Sequence, residues 1–196
     1  MPLYKLQGSH ELIAPTLIAA LDGWVDAGGA ATAAAAQLAG DGEVIVRFDP
    51  DIVFDYRARR PTLHIVDGRP GTLDWPELVI RHRRLGDRDL LVLTGPEPDF
   101  RWRELADDLV GLTHSLGVQE WISLGAIPAA VPHTRPVPVM GTESRRGLLR
   151  GDVTPGPTGL LREPAAAISV IDLAVSGGGV PAVGYFAQIP HYVSGP

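Results

Sequence analysis

Two carboxylates and an indole stand together at the end of a long apolar run, in the stretch DGWVDAGGAATAAAA that spans residues 22–36. Asp22 and Asp26 have the types and spacing for a general acid/base pair, or for oxygen ligation of a divalent cation. The same residues read as structure too: Asp22 ends a strand, and the Asp26 carboxylate accepts the free N–H groups that open an alanine helix. The glycine pair between them and the alanines is a poor phosphate cradle. It lacks GxGxxG spacing and a following lysine, and two nearby carboxylates repel a phosphate.

Three further loops carry polar groups. VPHTRP (131–136) sets His133, Thr134 and Arg135 between prolines. Imidazole and guanidinium together bind a carboxylate or phosphate, or else pair with acidic neighbours such as Glu97 or Asp22. GPTG (156–159) offers an anion nest at a helix start with Thr158 near its cap, or a plain turn. IPHYV (189–193) ends an apolar run with His191. The arginine clusters 57/59/60, 81/83/84 and 145/146 read as solvated faces, and those on ELVIRHRRL would discourage edge-to-edge strand pairing. GxSxG and HExxH are missing, and with no cysteine there is no CxxC. No catalytic residue, metal or cofactor is called for.

These loops need elements to hold them. LIAPTLIAALD (12–22) reads as a strand buried on both faces, with Pro15 at its edge or outside the ladder. AGGAATAAAAQLAG (27–40) reads as a helix closed by Gly40. Strands follow at 43–49, 62–66, 77–85 and 89–95, the middle two flanking a turn-rich DGRPGTLDWP as a hairpin-type excursion. Residues 99–117 predict an amphipathic helix, with Leu105, Leu109, Leu112 and Leu116 on one face and Gly117 as its stop. Strands at 118–126, 137–144 and 180–190, and helix within 157–175 broken near Pro164, complete the alternation. That pattern predicts α/β with a largely parallel sheet covered on both faces. Ligand sites in such sheets lie beyond the strands' carboxyl ends, where Asp22–Gly29, Gly95–Asp99, Gly125–Pro136 and Pro190–Val193 would all fall.

The 196 residues suit one domain, since single cores run to roughly 100–200 residues. A net charge of −6 argues against a general nucleic-acid binder, which needs a basic face. The absence of cysteine fits a reducing compartment, MPLYKLQGSHELIAP has no signal-peptide pattern, and apolar runs stop short of the ~18 residues of a membrane span. A cytoplasmic protein is the expectation, with no nucleic-acid or membrane partner.

In order, LDGWVDAGGAA (21–31), DPDIVFDYRARRP (49–61), LLVLTGPEPDFRW (90–102), LGAIPAAVPHTRP (124–136), GPTG and IPHYV resemble the proteasome assembly chaperone family in its actinobacterial branch. The resemblance spans nearly the whole chain. It implies a three-layer α/β/α sandwich, phosphorylase/hydrolase-like, with a mostly parallel or mixed central sheet. It also implies homo-oligomers, a trimer among the forms expected, and proteasome subunits as partners, since archaeal and eukaryotic members assist assembly of the 20S proteasome. Trp24 would then be an interaction anchor, with Asp22 and Asp26 orienting its loop. The chain departs from the family by ending in VSGP rather than a hydrophobic–Tyr–any tail. It also lacks the helical segment that usually follows PHYV, which predicts a less covered sheet face or oligomer contact. The first expectation is a non-enzymatic assembly or scaffold protein. The alternative is a hydrolase or phosphorylase-like enzyme for a small anionic or nucleoside-like substrate, bound where Asp22, Asp26, Glu97, His133 and Arg135 converge.

Overall fold

A short strand, β1 (Tyr4–Leu6), precedes the apolar run that organises the molecule, β2 (Thr16–Asp22). The computed structural model describes residues 1–8 and 10–193; the VSGP tail, apart from Val193, lies outside the described residues. After β2 a 3-10 turn (Ala27–Gly29) leads into α1 (Ala30–Ala39), then β3 (Glu43–Phe48) and the one-turn α2 (Pro50–Val53). Next come β4 (Thr62–Val66), β5 (Arg69–Asp74), β6 (Val79–Leu85), β7 (Arg88–Pro96) and α3 (Trp102–Ser115). The chain finishes with β8 (Glu120–Ala129), β9 (Val139–Glu143), β10 (Thr154–Pro155), α4 (Ala167–Gly177) and β11 (Ala182–Pro190).

Nine strands form one mixed sheet in the order β1-β3-β6-β7-β2-β8-β11-β9-β10. Its centre, β7-β2-β8-β11, is parallel, and β6 and β9 flank that centre antiparallel. Successive strand residues face opposite ways, and β2 divides its side chains accordingly. Ile18 and Ala20 pack with Leu90 and Val92 under Ala31, Ala35 and Ala39 of α1. Leu17, Ala19 and Leu21 point to the other face, where Leu105, Leu109 and Leu112 of α3 meet Ile168, Ile171 and Val175 of α4. The molecule is therefore a three-layer α/β/α structure. Alanine recurs every fourth position on the buried side of α1 because only a methyl fits where helix and sheet press together.

Several expectations change. Residues 62–66 do not pair with 77–85; β4 pairs with β5, and β6 joins the main sheet between β3 and β7. Asp67 (φ 50) and Gly68 (φ 74) make the β4–β5 turn, the Asp-Gly pair that a right-twisted hairpin favours. Because β6 is interior, its arginines do not protect an edge. Arg81 donates to the Gly42 carbonyl at 3.1 Å and Arg83 to that of Leu38 at 3.3 Å, placing cations at the C-terminal end of α1. In 157–175, only the part from Ala167 onward is helix.

The close fit of α1 gives a first test. Ala35 is fully buried, whereas Ala33 is exposed. Ala35→Leu should lower stability by about 1–3 kcal/mol through overpacking, and Ala33→Leu should stay within about 0.5 kcal/mol of the parent, both read by urea denaturation.

Candidate functional site

The chain leaves β2 toward one face and one edge of the sheet, and leaves β8 toward the other edge, so a crevice is expected between their carboxyl ends. The opening turn closes much of that crevice. The Ala126 amide donates to the Val25 carbonyl at 2.7 Å, and Asp26 bridges Ala126 in parallel. Val25 packs against the core and Trp24 points out, 69% exposed.

Asp26 is buried and acts as a helix cap. Its Oδ1 accepts the Ala31 amide at 2.7 Å, and its Oδ2 accepts the Thr32 hydroxyl. An N-cap usually binds amides two or three residues on. Here Gly28 and Gly29, both at φ 65, insert a left-handed step, and the cap reaches five and six residues ahead instead. Both carboxylate oxygens are thus held by the helix. Asp22 is exposed and lines a groove of about 540 Å³ with Thr32, Arg81 and Thr94.

Glu97, at the end of β7, ties three segments together. Its amide donates to the Asp22 carbonyl at 2.8 Å. Its carboxylate accepts the Trp24 amide at 3.1 Å and the Ala167 amide at 2.6 Å. The residue preceding α4 is Ala166, which has no side chain to cap with; Glu97 supplies the missing acceptor at the helix's positive end. A Cβ on Gly23 would lie 2.4 Å from Glu97 Oε2, so only glycine allows the approach.

The other loops meet each other and not this corner. The Tyr192 hydroxyl accepts the His133 amide at 2.9 Å and lies 2.8 Å from His133 Nδ1, with the rings edge to face. His191 stacks edge-on to Tyr192, and its amide donates to Ala129. Thr134 and Arg135 are exposed. Neither His133 nor Arg135 pairs with Glu97 or Asp22, because Glu97 is engaged with main-chain amides and His133 with Tyr192. Thr158 sits in an exposed loop eight residues or more before α4, so GPTG is not at a helix start. Among the described residues no group of three His, Cys, Asp or Glu side chains could hold a metal, and no helix is long and apolar enough to cross a membrane.

One polar centre was not anticipated. Asp172 interrupts the apolar helix α4, accepting the Trp121 indole N–H at 2.6 Å and the Ser123 hydroxyl at 2.8 Å. Burial pushes its carboxyl up to about 6, against those two hydrogen bonds, which favour the charged form. An aspartate within ISVIDLAV was the available signal; its partners on β8 are not local in sequence.

The model of the PAC2 family matches residues 20–196. The chain belongs to the PAC2 family. A proteasome-assembly chaperone homologue from Mycobacterium tuberculosis is 38% identical with a TM-score of 0.81, covering 92% of this chain and 78% of its own. A PAC2 family protein from Streptomyces avermitilis is 37% identical, again with a TM-score of 0.81, covering 92% of this chain and 77% of that one. An archaeal proteasome activator from Pyrococcus furiosus, PbaB, shares the fold at 15% identity, with a TM-score of 0.71 and coverage of 96% and 80%. No curated protein matches.

The raised Asp172 carboxyl has a sign that can be checked. Between about 4 and 6 the folded chain holds a proton that the unfolded chain releases. Stability from this group therefore falls as pH rises through that window, by about 1.4 kcal/mol per pH unit at the steepest. Denaturation midpoints of wild type and Asp172→Asn should diverge across that window, with the wild type losing stability on the alkaline side.

Proposed function

We propose that this PAC2 family chain is a non-enzymatic, assembly-chaperone-like scaffold of the cytoplasm. It acts through protein–protein contacts as a homo-oligomer and takes proteasome subunits as partners. Membership of the family, and likeness to a Mycobacterium homologue named as a proteasome-assembly chaperone, support a chaperone-like role.

The observation that carries the reading is Trp24. An exposed indole loses little conformational freedom on docking if its backbone is already fixed, and here Glu97 and Ala126 hold the turn on both sides. Rigid aromatic anchors of this kind dominate interface energetics. A second apolar surface lies on the β4–β5 hairpin, where Leu63, Ile65 and Leu73 are all exposed, with Trp75 edge-on to Tyr56 at its base. A two-stranded hairpin standing alone is marginal in water, which suits an element completed by a neighbouring chain. The strand-end groups that a hydrolase or phosphorylase-like centre would gather are instead divided between the helix cap, the Glu97 bridge and the His133–Tyr192 contact.

Light scattering of the purified chain, alone and mixed with proteasome α-subunits from the same organism, tests the reading. A defined homo-oligomer whose mass rises on mixing is expected. Trp24→Ala should keep the circular dichroism of the parent and weaken the mixed complex about thirtyfold, a typical hot-spot loss. A monomer, or an oligomer indifferent to the α-subunits, would contradict it.

A further inference from the structure

Between α4 and the strands β9 and β11 lies a cavity of about 170 Å³, whose walls include Thr142, Ser144, Asp172, Ser176 and Gly184. At about 30 Å³ per water in the liquid, that is room for about five small heavy groups. Asp172 contributes the only carboxylate there not engaged with main-chain amides, since Glu143 accepts those of Leu148 and Leu149. Both donors to Asp172, the Trp121 indole and the Ser123 hydroxyl, are neutral. No ion pair reaches it among the described residues. A carboxylate oxygen has a second acceptor position beyond each of these bonds, so the group can still receive a cation.

Gly184 shapes the floor. A Cβ there would lie 2.7 Å from Thr142 Oγ1 and 3.0 Å from Ser123 Oγ. Its bare position thus lets hydroxyls from β9 and β8 converge over β11, beside the carboxylate. Outward, the cavity shares Ser144, Leu173 and Ser176 with a groove of about 320 Å³, and that groove is lined by Arg145. Arg145 is exposed and makes no ion pair among the described residues. An anionic end therefore lies inside, a cationic end outside, and hydroxyls between them.

We propose that this cavity and groove bind a small zwitterion of the amino-acid or short-peptide class, its ammonium inward on Asp172 and its carboxylate outward on Arg145. An ammonium on Asp172 supplies the opposite charge that a poorly hydrated carboxylate lacks. The guanidinium fork takes a carboxylate through two parallel hydrogen bonds. The site lies on the α4 side of the sheet and shares no lining residue with the Trp24 corner, so its occupancy and the scaffold role can be tested separately.

The Trp121 indole N–H, bonded directly to Asp172, is the reporter. Proton–nitrogen correlation spectra of the full chain at pH 7.5 would be followed while adding 4-aminobutyrate, 6-aminohexanoate, propylamine or propionate. One of the amino acids should shift the Trp121 indole signal saturably, about tenfold more tightly than propylamine, with propionate inert. Arg145→Gln should reduce that amino acid to the affinity of propylamine, and Asp172→Asn should abolish the response to every amine. Arg145→Gln alters an exposed side chain, so it remains informative even if Asp172→Asn folds poorly. No saturable shift, or one that survives Asp172→Asn, would overturn the proposal. An amino-acid response unaffected by Arg145→Gln would overturn its zwitterion assignment.

Discussion

One carboxylate joins parts of the chain that have no other reason to meet. Glu97 accepts the amides of Trp24 and Ala167, which lie 73 and 70 residues from it, while its own amide holds the Asp22 carbonyl. Hydrogen bonds to an ionised acceptor are about twice as strong as neutral ones, and each donor here is otherwise an orphan. The turn after β2, the end of β7 and the start of α4 are fixed by this group. The orientation of Trp24 depends on the first of these contacts and the placement of Asp172 on the last.

The consequence for DGWVDAGGAA is a division of labour within a few residues. Gly23 is small so that Glu97 can approach, Val25 is half-buried against the core while its carbonyl accepts the Ala126 amide, and Asp26 caps α1 across a left-handed glycine step. Trp24 is the large apolar side chain of this stretch left to solvent. A stretch whose carboxylates invite a catalytic reading is, in the fold, a strand-to-helix corner held by main-chain contacts and a helix cap.

What could be read from the sequence follows the range of the forces involved. β2, α1 and the buried leucines of α3 are legible because apolar periodicity and helix propensity are local. The capping role of Asp26 is legible for the same reason. The β4–β5 hairpin was missed although Asp67-Gly68 is a strong turn signal, because Pro70 and Gly71 in β5 depress strand propensity. The partner of β6 could not be read at all, since only tertiary packing decides whether an arginine-rich strand lies inside or at an edge. Asp172 is hidden similarly: its partners Trp121 and Ser123 lie 51 and 49 residues away.

Amide hydrogen exchange, followed residue by residue in wild type and Glu97→Ala, tests the central claim most directly. The Trp24 and Ala167 amides should both be protected in the wild type, despite lying at a loop and a helix's first turn, and both should lose protection together in the variant. Exchange of either amide at the rate of an open loop in the wild type, or protection unchanged by removing the carboxylate, would contradict the account.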